Sequence, residues 1–226
     1  MGCVGYRELP PPTALSELVE TAWVVDGPGD AVRVLPDGCM DLIRMHGRVV
    51  VAGPDTGASV SARGPERFAG LRFRPGALPR LLGVPAAELR DRRIALDDLG
   101  IATDERPLAE LARELAAGVP RNETAPWSLT TLRHVTSRLA AGTPVARVAS
   151  DVGWSNRTLQ RQSQAVYGYG PATLRRVLRF RRAVSMLRTG RAAADVAAAA
   201  GFSDQPHLHR EVRALAGTTV ADLADD

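Results

Sequence analysis

The sequence predicts an α+β protein of two domains, a β-rich sandwich- or barrel-like domain followed by an all-α domain with two helix-turn-helix units. Three observations support this prediction. Residues 6 to about 83 consist of short apolar segments separated by glycine and proline. Later segments carry apolar residues at helical spacing. A stretch in the C-terminal half is also nearly repeated, at residues 149–155 and 197–203.

The N-terminal segments are typical of half-buried strands. They are rich in β-forming side chains, alternate apolar with other residues, and end at turn-forming sequences such as Pro36-Asp37-Gly38. A hairpin is expected around His46-Gly47. The predicted strands are residues 21–25, 32–35, 40–45, 48–52 and 68–73.

From residue 77 onward the apolar spacing becomes helical, first around Leu78 and again from Leu108. A polar segment with two prolines follows at residues 118–126, and everything after it is expected to be helical. We therefore expect three regions: a β-rich domain with a helical C-terminal part at 1–120, a linker at 121–127, and a helical domain at 128–226.

The first copy of the repeat predicts a helix-turn-helix unit at about residues 143–163. Thr143 is a natural N-cap before Pro144, and Gly153 is suited to end the first helix in the left-handed conformation. Ser155 is expected to cap the second helix. The first helix carries an apolar stripe of Val145, Val148, Ala149 and Val152.

The second copy predicts an equivalent unit at about residues 192–212. Val196, Ala197 and Ala200 form its apolar stripe, Gly201 makes the turn, and Ser203 is expected to cap the second helix. The offset between the copies is 48 residues up to the turn glycine and 49 from the following leucine onward. One residue has therefore been inserted at the start of the second helix.

Both second helices present polar side chains on the face opposite their apolar residues. Arginine pairs with guanine and glutamine with adenine in the major groove, so these faces are suited to reading double-stranded DNA. A solvated surface would account equally well for one such helix, but the second copy favours the DNA-reading interpretation. The predicted base-reading residues are Arg157, Gln160, Arg161, Gln205, His209 and Arg210.

Between the units, residues of about 172–188 are predicted to form one continuous linking helix. It carries five arginines within eight positions, of which some are expected to contact phosphate and others to pair with acids. Ser155, Ser203, Arg175 and Arg179 are the predicted phosphate-positioning residues. A rigid helix would hold the two reading helices about one DNA turn, roughly 34 Å, apart.

Charge is distributed unevenly along the chain. Residues 127–226 contain 14 arginines against 7 acidic residues, a net charge of +7, whereas residues 1–126 have a net charge of −3. A basic C-terminal half is typical of a nucleic-acid-binding domain, although a solvated arginine-rich surface gives the same count.

Other protein classes are disfavoured by the sequence. Cys3 and Cys39 are the only cysteines, which gives neither a disulfide framework nor metal-binding spacing. No apolar run would span a bilayer, and the N-terminus lacks a signal-peptide core. With no nucleophile–base pair, phosphate loop or metal cluster, we expect a cytoplasmic protein that is not an enzyme and binds no cofactor or metal.

Residues of about 128–220 resemble the DNA-binding domain of the AraC/XylS family of bacterial transcription regulators. The resemblance implies seven helices, two helix-turn-helix units, a linking helix, and contact with two adjacent major-groove segments. Three departures from the family pattern are Ser163 and Val212, where aromatic residues are usual, and Gly217-Thr218-Thr219-Val220 in place of a Gly-x-Ser/Thr-Pro turn. The matching stretches are Val148-Ala149, Gly153-Trp154-Ser155, Leu159-Gln160-Arg161, Gly168-Tyr169-Gly170-Pro171, Arg182-Ala183, Gly201-Phe202-Ser203-Asp204-Gln205 and His207-Leu208-His209-Arg210-Glu211.

Residues 35–42 and 70–77 resemble an uncharacterised β-rich domain that is often attached to such regulators. This resemblance implies a sensor or dimerisation role without naming a ligand. The candidate ligand-binding residues are Asp37, Cys39, Asp41, Arg72 and Arg74. Their alternative roles are a turn at Asp37-Gly38, a buried apolar Cys39, and arginines that are solvated or paired with Glu66 or an aspartate.

Three functions remain open from the sequence. The first is a sequence-specific transcription regulator modulated by a small molecule or by dimerisation, with RNA polymerase as a further partner. The second is a regulator whose Cys39 accepts an alkyl group or senses redox state. In the third, the N-terminal domain serves only protein–protein interaction.

Overall fold

The fold was examined in a computed structural model that describes residues 5–62 and 64–225. Cys3 and the N-terminal residues discussed above lie outside the described residues. Within them, a β-rich part is followed by an entirely helical part, which confirms the predicted fold class. None of the helices described is long and apolar enough to cross a membrane.

The β-rich part contains a six-stranded antiparallel sheet and a separate two-stranded ribbon. The large sheet has the strand order β1-β2-β7-β4-β5-β8, and β3 pairs with β6 in the ribbon. The hairpin predicted at His46-Gly47 joins β4 to β5, and both turn residues have positive φ. The strands are β1 (Gly5–Leu9), β2 (Val19–Asp26), β3 (Val32–Val34), β4 (Met40–Met45), β5 (Arg48–Ala52), β6 (Ser59–Ser61), β7 (Phe68–Phe73) and β8 (Arg93–Ala95).

Three helices accompany the sheet and seven follow it in the part of the chain that the structure describes. The first three are α1 (Leu78–Leu82), α2 (Ala86–Leu89) and α3 (Leu108–Ala117). The other seven match the number implied by the family resemblance: α4 (Leu129–Ala140), α5 (Val145–Asp151), α6 (Asn156–Tyr167), α7 (Pro171–Arg188), α8 (Ala193–Ala200), α9 (Gln205–Ala216) and α10 (Val220–Asp225).

Strand β8 corrects the expectation that the chain is helical from residue 77 to the linker. Its three residues are too few to show a period of two, and the strand exists because it pairs with Val50, Val51 and Ala52 at the edge of the sheet. Only long-range pairing specifies such a strand. Residues 121–127 have no helix or strand, but Thr124 and Trp127 within them are buried.

Helix α7 belongs to the cores of both helix-turn-helix units. Leu174 and Val177, near its N-terminal end, pack with α4, α5 and α6. Phe180 and Leu187, further along, pack with α8, α9 and α10. Each unit thus has its own hydrophobic cluster, and the 18 residues of α7 connect the two as one rigid element.

Candidate nucleic-acid interface

The first helix-turn-helix unit consists of α5, a glycine turn and α6. Val148 and Ala149 are buried beneath α5, and Gly153 has the left-handed φ of 73° that the sequence predicts. The Oγ of Ser155 accepts a hydrogen bond from the backbone N–H of Thr158, 3.1 Å away, and so caps α6. The N-cap of α5, however, is Pro144 rather than Thr143, because the extended backbone of Pro144 directly precedes the first helical residue.

Helix α6 buries one side and exposes the predicted reading face. Leu159 is fully buried, whereas Arg157, Gln160 and Arg161 are exposed. The Gln160 amide lies over Gly170, where a Cβ would approach its Nε2 to 2.4 Å. The missing side chain at Gly170 thus makes room for Gln160 at the start of α7.

The second unit consists of α8, the turn at Gly201 and α9. Val196, Ala197 and Ala200 are buried as predicted, and Gly201 has a φ of 81°. Helix α9 is capped by Asp204 rather than by Ser203, so the Ser203 cap prediction is wrong. The Oδ1 of Asp204 accepts from the backbone N–H of His207 at 2.6 Å, and this bond lowers the pKa of Asp204.

The inserted residue explains this shift of the cap. Ser203 matches Ser155 at the offset of 48 residues, but Asp204 matches it at the offset of 49 that applies beyond the insertion. The Ser203 Oγ instead lies 3.0 Å from Nδ1 of His207. An anionic cap is also favourable because the N-terminal end of a helix carries partial positive charge.

The exposed face of α9 carries the residues predicted to read bases. Gln205, His209 and Arg210 are all exposed, while Leu208 and Val212 are completely buried on the opposite side. Gln205 and His209 lie next to each other, with Nε2 atoms 3.4 Å apart. Both units therefore expose an arginine and a glutamine on the outer face of their second helix.

The arginines of α7 have separate roles. The Nε of Arg176 pairs with the carboxylate of Glu211 on α9 at 2.7 Å. The Nη2 of Arg179 lies 3.7 Å from the Glu211 carboxylate, and the guanidinium carbon of Arg179 lies 4.6 Å from the centre of the Phe202 ring. The Nη1 of Arg175 donates to Gly142 O at 3.5 Å. Arg179 therefore stabilises the second unit. The sequence predicted only a phosphate contact for this residue.

A cleft of about 420 Å³ separates the two units. Arg175, Arg179 and Arg182 line it from α7, between the α4–α5 turn and the end of α8. The cleft is basic and open to solvent. The two predicted phosphate-positioning arginines thus both lie in the cleft between the two units.

Four of the five candidate ligand residues of the N-terminal part are brought together by the fold. Arg72 lies opposite Asp41 in the sheet, and its Nε is 3.5 Å from Asp37 and 3.6 Å from Asp41. The N–H of Cys39 donates to Asp37. Arg74 does not join this cluster because β7 ends at Phe73, and the Arg74 side chain turns to Ser16 O.

Burial dominates the electrostatics of this cluster. The pKa of Asp41 is raised to about 7, because desolvation outweighs the attraction of Arg72 and because Asp37 adds repulsion. Burial likewise raises the pKa of the Cys39 thiol, which is only 4% exposed. A buried, protonated thiol is a poor nucleophile.

The sequence analysis missed the contact between Cys39 and the linking helix. The thiol donates to Oε2 of Glu20 at 3.3 Å, and Glu20 forms a close ion pair with Arg181 of α7. Beside it, Gly38 lies against Leu174 and Tyr169. No sequence signal pairs Glu20 with Arg181, since 161 positions separate them.

The three departures from the family pattern have distinct consequences. Ser163 is fully buried, and its Oγ has no hydrogen-bond partner among the described residues. Val212 is buried in the second core. At the altered turn, Val220 stands in place of the proline, whereas Thr219 keeps the Ser/Thr position of the pattern and caps α10, because its Oγ1 accepts from the N–H of Asp222.

Family models match both parts of the chain. Residues 148–225 match a model described as a helix-turn-helix domain, and residues 7–95 match one described as a domain of unknown function. Among curated proteins, none matches this chain.

Solved structures with similar chains include ToxT from Vibrio cholerae, which is 9% identical, with 97% of this chain and 95% of that chain covered and a TM-score of 0.46. A fatty-acid-bound form of ToxT from the same organism is also 9% identical, with 98% and 94% covered and a TM-score of 0.44.

The helix-turn-helix match supports a DNA-binding transcription regulator as the general function. The matches also agree with both resemblances in the sequence. The C-terminal part of the chain is therefore an AraC-type helix-turn-helix domain, and the N-terminal part belongs to a family of β-rich domains of unknown function.

Proposed function

We propose that this protein is a sequence-specific transcription regulator of the cytoplasm that reads two adjacent major-groove segments of one DNA site. The observation that carries this proposal is the pairing of two exposed polar helix faces, on α6 and α9, with one rigid helix between them. A single polar helix would be an ordinary surface. Two of them on one rigid element match the periodic surface of a DNA duplex.

The base-reading residues are Arg157, Gln160 and Arg161 in the first unit and Gln205, His209 and Arg210 in the second. Arginine makes bidentate hydrogen bonds to guanine and glutamine to adenine. To reach a base, Gln160 leaves its position over Gly170, whereas the two arginines of α6 form no ion pair among the described residues.

Phosphate contacts are proposed for Ser155, Ser203, Arg175 and Arg179. Ser155 caps α6, and Ser203 directly precedes Asp204, the cap of α9, so both hydroxyls lie at the starts of the reading helices and can donate to phosphate. Arg175 and Arg179 line the basic cleft between the units. Of the two, Arg175 is the stronger candidate because Arg179 is already paired with Glu211.

The N-terminal domain is proposed to modulate DNA binding through a small molecule or through dimerisation. The half-buried cluster of Asp37, Asp41 and Arg72, beside the buried Cys39, supports a polar site close to α7. Its connection to the linking helix through Glu20 and Arg181 provides a route to the DNA-binding part. RNA polymerase is the partner through which such a regulator would act.

Binding of variants to selected DNA tests this function. A site is first selected from a randomised library with the full chain, and affinity is then measured by fluorescence anisotropy. Arg161→Ala and Arg210→Ala should each weaken binding by about 1–3 kcal/mol and relax the preference at one position of the site. Arg188→Ala, an exposed arginine at the end of α7, is the matched control and should bind as wild type does.

The same titration on random DNA separates base reading from charge. Loss of a base-reading arginine should reduce affinity for the selected site much more than for random DNA of equal length. Equal losses on both would contradict the base-reading assignment.

A further inference from the structure

The C-terminal ends of both reading helices are held by arginines of the N-terminal domain. Helix α6 ends before its C-cap residue Gly168, and the Nη1 of Arg90 donates to the Gly168 carbonyl oxygen at 3.1 Å. Helix α9 ends before Gly217, and the Nη1 of Arg33 donates to Ala216 O at 2.8 Å. Carbonyl groups at a helix C-terminus lack intrahelical partners and carry partial negative charge, so a guanidinium stabilises both ends in the same way.

One short loop also contacts both helix ends. The loop of residues 53–58 connects β5 to β6. Its Pro54 packs so closely on Gly168 that a Cβ there would lie 2.5 Å from the proline Cγ. Its Ala58 donates from the backbone N–H to Leu215 O, in the last turn of α9, at 2.8 Å. Four residue steps reach at most about 14 Å, so the loop sets an upper limit on the distance between its two points of contact.

Asp91 anchors this loop to the domain. Its Oδ1 accepts from the backbone N–H of Thr56 at 2.6 Å, and its Oδ2 accepts from the Thr56 hydroxyl at 2.9 Å. Its own N–H donates to Pro54 O at 3.2 Å. Asp91 has a φ of 57°, which is uncommon outside glycine. It directly follows Arg90, so its backbone conformation affects the position of that arginine.

These elements form one structural unit, which we call the brace: the loop of residues 53–58 together with Arg33, Arg90 and Asp91. Without the brace, α7 is the main element common to the hydrophobic cores of the two units. Helix α7 is rigid, but each unit is joined to it through one hydrophobic core only, so the helix alone does not prevent a unit from rotating about that contact. The brace adds a second connection, at the far ends of the reading helices.

We propose that the brace sets the separation of the two reading helices, so that the N-terminal domain determines which spacing between the two DNA segments the protein accepts. Arg33 and Arg90 are positioning residues, because they act on DNA through α6 and α9. The proposal rests on the proposed function and adds the means by which the N-terminal domain controls it. Any ligand that moved the loop would change the spacing of the reading helices.

DNA sites of altered spacing test the proposal. Affinities of the full chain are measured for the selected site and for sites with one or two base pairs inserted or deleted between its two halves. The variants are Arg33→Ala combined with Arg90→Ala, and Asp91→Gly, which removes the carboxylate while accepting the positive φ. Arg92→Ala is the matched control, since among the described residues the Arg92 side chain bonds only to Glu88 O, and alanine keeps the backbone bond from the Gly53 N–H to Arg92 O.

Wild type and the control should prefer one spacing strongly. This preference is the ratio of the affinities for the best and the altered spacing. Both brace variants should lower the ratio by about fivefold, which corresponds to the loss of one or more hydrogen bonds. Brace variants that keep the wild-type ratio would overturn the proposal.

A measurement without DNA separates the brace from the DNA-binding function. Spin labels at Gln164→Cys on α6 and Arg213→Cys on α9, both exposed positions, are introduced with Cys3 changed to serine. Pulsed electron resonance should give a narrow distance distribution in wild type and a broader one in both brace variants. An unchanged distribution contradicts the brace. If the distribution broadens in the brace variants but the wild type shows no sequence preference on any DNA, the proposed function is contradicted and the structural role of the brace is not.

Discussion

Replacing Asp41 by asparagine should make the stability of the protein less sensitive to pH. The Asp41 carboxyl is 15% exposed on β4, opposite Arg72 in the sheet, and its Oδ1 has no hydrogen-bond partner among the described residues. Its pKa is about 7 in the folded protein and about 3.9 in an unfolded chain. The folded state therefore binds the proton more tightly, and the wild type loses stability as pH rises from about 4 through 7.

The size of the effect follows from these two pKa values. Compared with a carboxyl whose pKa is the same in both states, Asp41 lowers the stability of the folded protein by about 1.5 kcal/mol at pH 5, where the folded state keeps it protonated, and by about 4 kcal/mol at pH 8, where it is ionised. Asparagine does not titrate and removes this pH-dependent cost. The change between pH 5 and pH 8 is therefore about 2.5 kcal/mol in favour of the variant, whatever constant effect the substitution has on stability.

Urea unfolding at pH 5 and pH 8 measures this change. The free energy of unfolding is extrapolated for wild type, for Asp41→Asn and for Asp98→Asn, a control at an exposed carboxylate that should follow wild type. A wild-type–variant difference for Asp41→Asn that is the same at both pH values would refute the reasoning. So would a variant that becomes relatively less stable at pH 8.

Three further predictions concern single side chains. Ser163→Ala should stabilise the protein by about 1 kcal/mol, or about 2–4 °C in Tm beyond the exposed control Ser137→Ala, because it removes a buried hydroxyl without a partner; a lower Tm would contradict this. The pKa of Asp204 is lowered, so its cap stabilises α9 above about pH 4 and the stabilisation is lost as pH falls further. Asp204→Ala should therefore reduce stability at pH 7 and have little effect in strong acid, and thermal unfolding at both pH values measures the difference. Intact mass after treatment of the folded protein with a methylating agent should show Cys39 unmodified, and rapid alkylation there would revive the alkyl-acceptor function.

Local sequence signals predicted the two helix-turn-helix units well. Gly153 and Gly201 have the left-handed conformation because the chain must leave the helix within one residue there. Glycine adopts this conformation without steric cost, so the residue type alone was enough to predict the turn. The apolar stripes are buried for the same reason, since helical spacing places them on one face. The Ser203 cap failed because the inserted residue offered two adjacent capping side chains, and the carboxylate of Asp204 was the one aligned with the helix.

Contacts between the domains could not be predicted. The bond from Arg33 to Ala216 joins positions 183 residues apart, and no local pattern distinguishes Arg33 from other arginines of the chain. The same holds for Glu20 with Arg181 and for β8 at the sheet edge. These features depend on how finished elements pack, and they are the ones that link the N-terminal domain to the reading helices.

The proposed function requires one chain to read two major-groove segments through α6 and α9. Hydroxyl-radical footprinting of the full chain on its selected DNA measures whether it does. We expect two protected segments on one face of the duplex, about one helical turn or 10 base pairs apart, with the Arg161→Ala variant weakening one and Arg210→Ala the other. A single protected segment, or loss of the same segment in both variants, would contradict it.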